Sequence, residues 1–237
     1  MHLAILMTNT DESAFAHAHP KDGEKFTALI HSVRPAWRVT SFSVKDGVFP
    51  PDINAFDGVM VTGSPASVLD DDPWVARLLQ VIERAFEGRT PMFGACYGHQ
   101  AIALALGGEI GPNPAGWVFG LTWSTIIDHA EWMAGLPDTF TQYGAHNEAV
   151  TRLPAGATPL STSDACAVTG FRIGTSVYTT QNHPEMTPAF IKALVAEYRD
   201  KLPDGVGQAA EASLTQDVDM RVYAETIARF FEQASAD

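Results

Sequence analysis

The stretch Thr90–Gly107, TPMFGACYGHQAIALALG, leaves a chain few ways to fold. Pro91 to Ala95 is a short apolar run with the character of a buried strand, and Gln100 to Leu106 has the character of a helix. Between them, Gly94-Ala95-Cys96-Tyr97-Gly98 must turn a strand directly into a helix. A glycine two residues either side of a nucleophile-type residue is the logic of a nucleophile elbow. Such a turn strains the backbone of its central residue and holds that side chain over the strand ends. The flanking glycines remove side chains that would collide there. The helix N-terminus then points at Cys96, and its partial positive charge favours a thiolate. A small buried cysteine between two packing glycines satisfies the same stretch, so the rest of the chain has to decide.

The surroundings predict an α/β fold. A chain of 237 residues fits one α/β domain, with or without an appendage. Ahead of the elbow, His2–Thr8, Val39–Val44 and Gly58–Thr62 read as strands. Glu24–Val33 has helical spacing, and Asp72 and Pro73 read as the cap and first residue of a helix running to Glu87. Trp74, Leu78, Val81, Ile82 and Ala85 are its expected inner face, and Gly88 stops it. This alternation predicts a parallel sheet built from right-handed crossovers. Thr10–Asp22 reads as a solvated polar loop, although Asp11, Glu12, His17 and His19 are of metal-ligand type. After Gly107-Gly108 the pattern becomes β-rich: Leu121–Asp128, Thr139–Ala145, Ala157–Thr162, Ala165–Arg172 and Thr175–Gln181. Thr187–Lys201 is a predicted helix, and helical spacing returns from Gln208 to the end. The expected organisation is one main unit, residues 1–190, with a helical extension over 191–237 packed on it.

Charge and cysteine usage narrow the setting. The formal charge of −13 disfavours nucleic acid and anionic membrane surfaces, both of which need a basic face. There is no run of 18 apolar residues, and MHLAILMTNTDES reads as a first strand rather than a signal peptide. Cys96 and Cys166 are the two cysteines and have no metal-type spacing. A reduced, cytoplasmic setting is expected, with no metal and with Cys166 buried.

A nucleophilic thiolate needs a base, an acid to orient that base, and donors for a developing oxyanion. His2 lies at a strand start, His17 and His19 in a polar loop, and His31 on a helix. His99 lies inside the elbow helix, facing away from where a base is needed, which leaves His146 and His183. His183 follows the run Ser176–Gln181 in TTQNHPEM. Pro184 stiffens the next step, and Glu185 at i+2 on an extended segment points the same way as His183. One carboxylate can then hold the imidazole in the required tautomer. A surface turn could also carry His-Pro-Glu by chance.

Gly-Ala-Cys96-Tyr-Gly-His-Gln100 with His183-Pro-Glu185 far downstream resembles the class I glutamine amidotransferase family. Gly63-Ser64-Pro65-Ala66-Ser67-Val68 resembles the oxyanion-strand loop of its GMP synthetase-like branch. Gly107-Gly108 with Pro114-Ala-Gly116-Trp117, and Ala145-His146-Asn147-Glu148-Ala149-Val150, resemble two further segments of that family. The likeness covers roughly residues 2 to 190, in the family's order. It implies a flavodoxin-like three-layer α/β sandwich around a central, mostly parallel mixed sheet. It also implies Cys96 as nucleophile, His183 as base and Glu185 as its orienter. The backbone N–H of Tyr97 and that of Ser64, or else of Gly63, would form the oxyanion hole. Gln100 would contact the substrate, with His146 nearby and Trp117 either lining the pocket or packing in the core. No cofactor is implied.

The expected substrate is glutamine or a γ-glutamyl small molecule. Val118 stands where relatives often place a glutamate, Asn182 where an aromatic precedes the histidine, and Glu148 where they have an aspartate. No Gly-x-x-x-x-Gly-Lys loop occurs, and the segment beyond residue 190 is short for a synthetase domain. The expectation is therefore an amidotransferase that passes ammonia to a separate synthetase subunit. The alternatives are a stand-alone γ-glutamyl hydrolase or peptidase, and a catalytically silent interaction protein of the same fold.

Overall fold

The structure, a computed structural model, describes residues 1–234, so the last three residues of the expected 191–237 extension lie outside the described residues. Its first half runs β1 (His2–Met7), α1 (Ala14–His17), α2 (Asp22–His31), β2 (Arg38–Ser43), β3 (Gly58–Val61), α3 (Pro73–Glu87), β4 (Met92–Ala95) and α4 (Tyr97–Ala105). The second half is richer in strand: β5 (Glu109–Pro112), β6 (Val118–Ile126), β7 (Thr139–His146), β8 (Glu148–Arg152), β9 (Thr158–Ser163), β10 (Cys166–Ile173) and β11 (Val177–Thr180). Three helices follow, α5 (Pro188–Tyr198), α6 (Val206–Ser213) and α7 (Met220–Ala234).

Nine strands form one sheet in the order β2-β1-β3-β4-β11-β10-β9-β6-β7. Neighbours from β2 to β11 are parallel, as the strand–helix alternation requires. From β10 outward they are antiparallel. β5 and β8 form a separate two-stranded antiparallel sheet. Side chains alternate across the parallel strands, so β1 feeds two cores. Leu3 and Ile5 pack with Phe26 of α2 and with Ile227, Phe230 and Phe231 of α7. Ala4 and Leu6 pack on the opposite face with Leu78 and Ile82 of α3 and Ile102 of α4. Each fully buried Phe or Leu there contributes about 1.5–3 kcal/mol relative to exposure. A third cluster joins Tyr143 of β7 to Ile191 and Val195 of α5 and Ala210 of α6.

Several local expectations are corrected. The segment 10–22 is not a plain loop, because Ser13 accepts a hydrogen bond from the Ala16 N–H at 3.2 Å and caps α1. Pro73 opens α3, but the Asp72 side chain makes no capping hydrogen bond. Val75 joins the buried face of α3, and Trp74, half-buried against the same core, stacks its ring on Tyr97 at 5.7 Å. β6 begins at Val118, and the helical pattern after residue 208 resolves into α6 and α7. No helix among the described residues is long and apolar enough to cross a membrane.

Candidate active site

β4 runs straight into α4 through Cys96, whose backbone sits at φ 51° and ψ −107°. Only one other non-glycine residue among those described, Arg89, has a positive φ. Strain of this kind persists where the surroundings over-determine it. Here the Cys96 N–H donates to the Thr180 carbonyl at 2.9 Å, and the Cys96 carbonyl accepts from the Gln100 N–H at 3.1 Å. The glycines on either side allow α4 to sit hard against the sheet. A Cβ on Gly94 would lie 2.6 Å from the Gly98 backbone, and one on Gly98 would lie 2.2 Å from the Val61 carbonyl oxygen.

His183 follows β11, and its N–H donates to the Tyr143 carbonyl at 2.8 Å, which fixes the segment against β7. Its Nδ1 lies 2.7 Å from Glu185 Oε1, and Cys96, whose Sγ lies 4.0 Å from the Ala145 carbonyl, is close enough for its charge to act on the ring. Cys96, His183 and Glu185 are all buried. Burial works against the imidazolium, but the charges of Glu185 and Cys96 and their hydrogen bonds outweigh it. His183 is thereby held well above its ordinary pKa. The imidazole and the cysteine also crowd the loop after β3. A Cβ on Gly63 would lie 2.7 Å from His183 Cε1 and 3.6 Å from Cys96 Cβ, so only glycine leaves the imidazole in place.

The Gly63 carbonyl is turned inward, accepting from Thr8 Oγ1 at 2.9 Å. In a trans peptide the N–H of the next residue points the opposite way, so that of Ser64 faces away from Thr8. Tyr97 is the first residue of α4, where the N–H has no intrahelical acceptor. Its side chain is turned away from the site onto Trp74.

Gly63, Ser64, Cys96, Gln100, Trp117, His146, His183 and Glu185 line one cleft of about 630 Å³. Gln100 Nε2 donates to the Glu148 carbonyl at 3.0 Å and to Gln181 Oε1 at 3.2 Å, bracing the β7–β8 turn. The same carbonyl accepts from His146 Nδ1 at 2.9 Å. A carbonyl only accepts, so Nδ1 carries the proton of the neutral ring and the buried Nε2 is left with a lone pair. Burial pushes the His146 pKa down to about 4. His99 lies behind the elbow with Nδ1 on Thr179 Oγ1 at 2.8 Å, and burial lowers its pKa to about 3.

Two features have no signature in the sequence. Ser67 Oγ donates to the Glu148 carboxylate at 2.9 Å, tying the loop after β3 to β8. The two segments are visible as separate motifs, but their contact is not. The far wall of the cleft, from Asn9 through α1 to Lys25 and along α5, carries no catalytic motif, and its Asp11, Glu12, His17 and His19 read from sequence only as ligand-type residues in a polar loop. Val118, which stands where relatives often place a glutamate, does not itself line the cleft. Trp117 and Phe119 line the cleft, while Val118, between them, is buried on the opposite side of the strand against Gly144. Among the described residues, no group of three or more His, Cys, Asp or Glu side chains is placed to hold a metal ion.

The family described as "Glutamine amidotransferase class-I" matches residues 27–195. Gamma-glutamyl peptidase 3 of Arabidopsis thaliana is 32% identical over 162 residues, covering 65% of this chain and 65% of that protein. The chain thus spans just under two thirds of that relative's length. A glutamine-hydrolyzing GMP synthase subunit of Ignicoccus hospitalis is 32% identical over 138 residues, 58% of this chain and 71% of the relative. The crystal structure of a glutamine amidotransferase from Thermotoga maritima shares the fold, with a TM-score of 0.79 at 18% identity over 98% of this chain and 97% of that one. With the family match spanning most of the chain, the elbow, the histidine–glutamate pair and the three-layer fold have one common explanation: the chain belongs to the class I glutamine amidotransferase family.

Proposed function

We propose that this protein hydrolyses the γ-carboxamide of γ-glutamyl compounds through a thioester on Cys96. In the first step Cys96 Sγ attacks the γ-carbonyl carbon and a C–S bond forms. The oxyanion is held by the N–H groups of Tyr97 and Ser64, and the inward-turned Gly63 carbonyl favours Ser64 over Gly63 as the second donor. The C–N bond then breaks as the His183 imidazolium gives its proton to the leaving nitrogen. In the second step His183 takes a proton from water, the hydroxide attacks the thioester carbon, and the Cys96 thiolate leaves. Glu185 holds the imidazole and balances its charge throughout. Glutamine gives glutamate and ammonia; a substituted amide gives glutamate and an amine.

The observation that carries this reading is the buried Cys96–His183–Glu185 alignment on a strained elbow at the ends of the parallel strands, where α/β folds place their sites. Residues 1–190 hold all of this chemistry. The helices beyond are a proposed extension of the same unit, supported by the share of α7 in the core around β1. Free thiols at Cys96 and Cys166 suit a reducing, cytoplasmic setting.

The size of the cleft favours a stand-alone γ-glutamyl hydrolase, because about 630 Å³ falls in the range of sites that enclose a whole small-molecule ligand. A second reading, in which ammonia passes to a separate synthetase subunit, is supported by the likeness to the GMP synthase relative. Steady-state kinetics on glutamine and γ-glutamyl dipeptides, with Cys96→Ala as control, separate them. The hydrolase reading expects dipeptides to turn over without any partner, at least tenfold faster than glutamine. Turnover of glutamine alone would favour the partner-dependent reading. Absence of turnover on both, with an unreactive Cys96, would leave a silent interaction protein.

A further inference from the structure

The cleft does not end at Cys96. Past His183 and Met186 it continues between α1, the start of α2, the end of β2 and α5. Rings converge on this lobe. Phe15 packs on His19 at 4.3 Å and on Phe190 at 6.0 Å between centroids, and His19 meets Phe190 edge-on at 5.4 Å. Phe119 and Tyr198 form a further pair at 6.4 Å, and all five side chains line the same cleft.

Most of the charges in the lobe are paired with one another, and the two on its wall that form no ion pair among the described residues, Asp11 and Lys21, are of opposite sign. Lys25 Nζ lies 2.9 Å from Asp22 and 3.7 Å from the centre of the Phe190 ring. Lys45 Nζ lies 2.5 Å from Glu12 and 2.9 Å from Asp46. A ligand entering here meets no field of one sign, so neither a carboxylate nor an ammonium is selected. What the lobe offers is aromatic surface, which prefers other rings in offset or edge-on geometry.

Direction follows from the chemistry. The γ-carbonyl must sit on Cys96 and the leaving nitrogen must face His183. On the His183 side the wall of the cleft continues through Met186 and Phe190 into the lobe, which is open to a substituent on that nitrogen. We propose that the lobe is the subsite for the amine portion of the substrate, and that the preferred substrate is a γ-glutamyl amide whose amine portion is aromatic and uncharged. The proposal rests on the hydrolase reading above.

The test compares kcat/KM for γ-glutamyl-benzylamide, γ-glutamyl-methylamide, γ-glutamyl-glutamate and the mono-γ-glutamyl amide of 1,4-diaminobutane, on wild type and Phe190→Leu. The benzylamide is expected to exceed each of the other three by at least tenfold. Phe190→Leu is expected to lower the benzylamide-to-methylamide ratio at least fivefold. Should Phe190→Leu fail to fold, Phe15→Leu, on the more exposed α1, gives the same ratio. Equal rates on all four amides, a faster rate on the charged ones, or an unchanged ratio in a folded variant would overturn the subsite while leaving the hydrolase reading intact. If none of the four amides is hydrolysed and none acylates Cys96, the hydrolase reading falls and the subsite with it.

Discussion

At one end of the cleft, Cys96, His183 and Glu185 hang from the ends of parallel strands, all buried, with glycine at every close approach. At the other end the wall is a four-residue helix, loop and the solvent edge of α5, and its ion pairs run out to Glu12 and Asp46, whose side chains are 57% and 56% exposed. The first end is held by backbone geometry, so a shift of an ångström there lowers the rate directly. The second is held by long side chains that can rearrange, so it can tune which amine is accepted without disturbing the reacting atoms. Chemistry and selectivity are thus placed on parts of the molecule with different stiffness.

The comparison breaks if the two ends respond alike to substitution. Short of removing the nucleophile, the largest effect belongs to Glu185→Gln, which keeps the shape of the site but removes the charge that sustains the imidazolium. Turnover should fall by about 10⁴-fold, the loss known for neutralising such an orienting carboxylate. A variant within threefold of wild type would move the orienting acid elsewhere, with Glu148 the next to examine. Gly63→Ala comes second. Its methyl group would meet His183 Cε1 at 2.7 Å, and the ring, fixed by Glu185, has nowhere to go. We expect kcat to drop about 10²-fold in a protein that still melts cooperatively; an unchanged kcat would show the imidazole to be mobile.

Acid stability sharpens the same contrast. His99 and His146 are buried, with pKa values lowered to about 3 and about 4. The unfolded chain, with His near 6.5, binds these protons more tightly, so both residues favour the fold above that pH. The contribution is lost as pH falls from 6.5 toward 4 for His146 and toward 3 for His99, by up to about 1.4 kcal/mol per pH unit for each. Urea titrations between pH 7 and 4 should show this slope, and His99→Gln should remove its share. A slope identical to wild type would mean that His99 is not held neutral. The smallest effects belong to the far wall. Lys25→Met, which strands Asp22 in a buried pair, should cost about 2 kcal/mol, between the exposed and fully buried limits. Lys45→Met, at the exposed edge, should leave the urea midpoint where it is. A larger shift for Lys45 than for Lys25 would reverse the assignment of stiffness along the wall.

The stiff end is legible in the sequence and the adaptable end is not. Gly94, Cys96 and Gly98 announce the elbow because local backbone geometry dictates those residue types. His183 and Glu185 are found through their spacing of two on an extended segment, together with the order of the motifs. The β5–β8 sheet escapes a sequence reading because each strand is short and its partner lies far along the chain. The place of Val118 is not legible because the alternation of β6 is visible in the sequence only from Leu121. Once the strand starts at Val118, alternation puts it opposite Trp117 and Phe119. Phe15, Lys25 and Phe190 form a wall only after α1, α2 and α5 have been brought together, and no periodicity in any one segment encodes that.

The central claim is that the γ-glutamyl group passes through Cys96. Rapid acid quench during turnover of a γ-glutamyl amide, followed by peptide mass mapping, tests it most directly. The account predicts a glutamyl adduct on the peptide carrying Cys96 and none on Cys166, whose thiol is buried and whose pKa burial raises. It also predicts loss of both adduct and turnover in Cys96→Ala. Continued hydrolysis by Cys96→Ala, or an adduct on Cys166 instead, would contradict it.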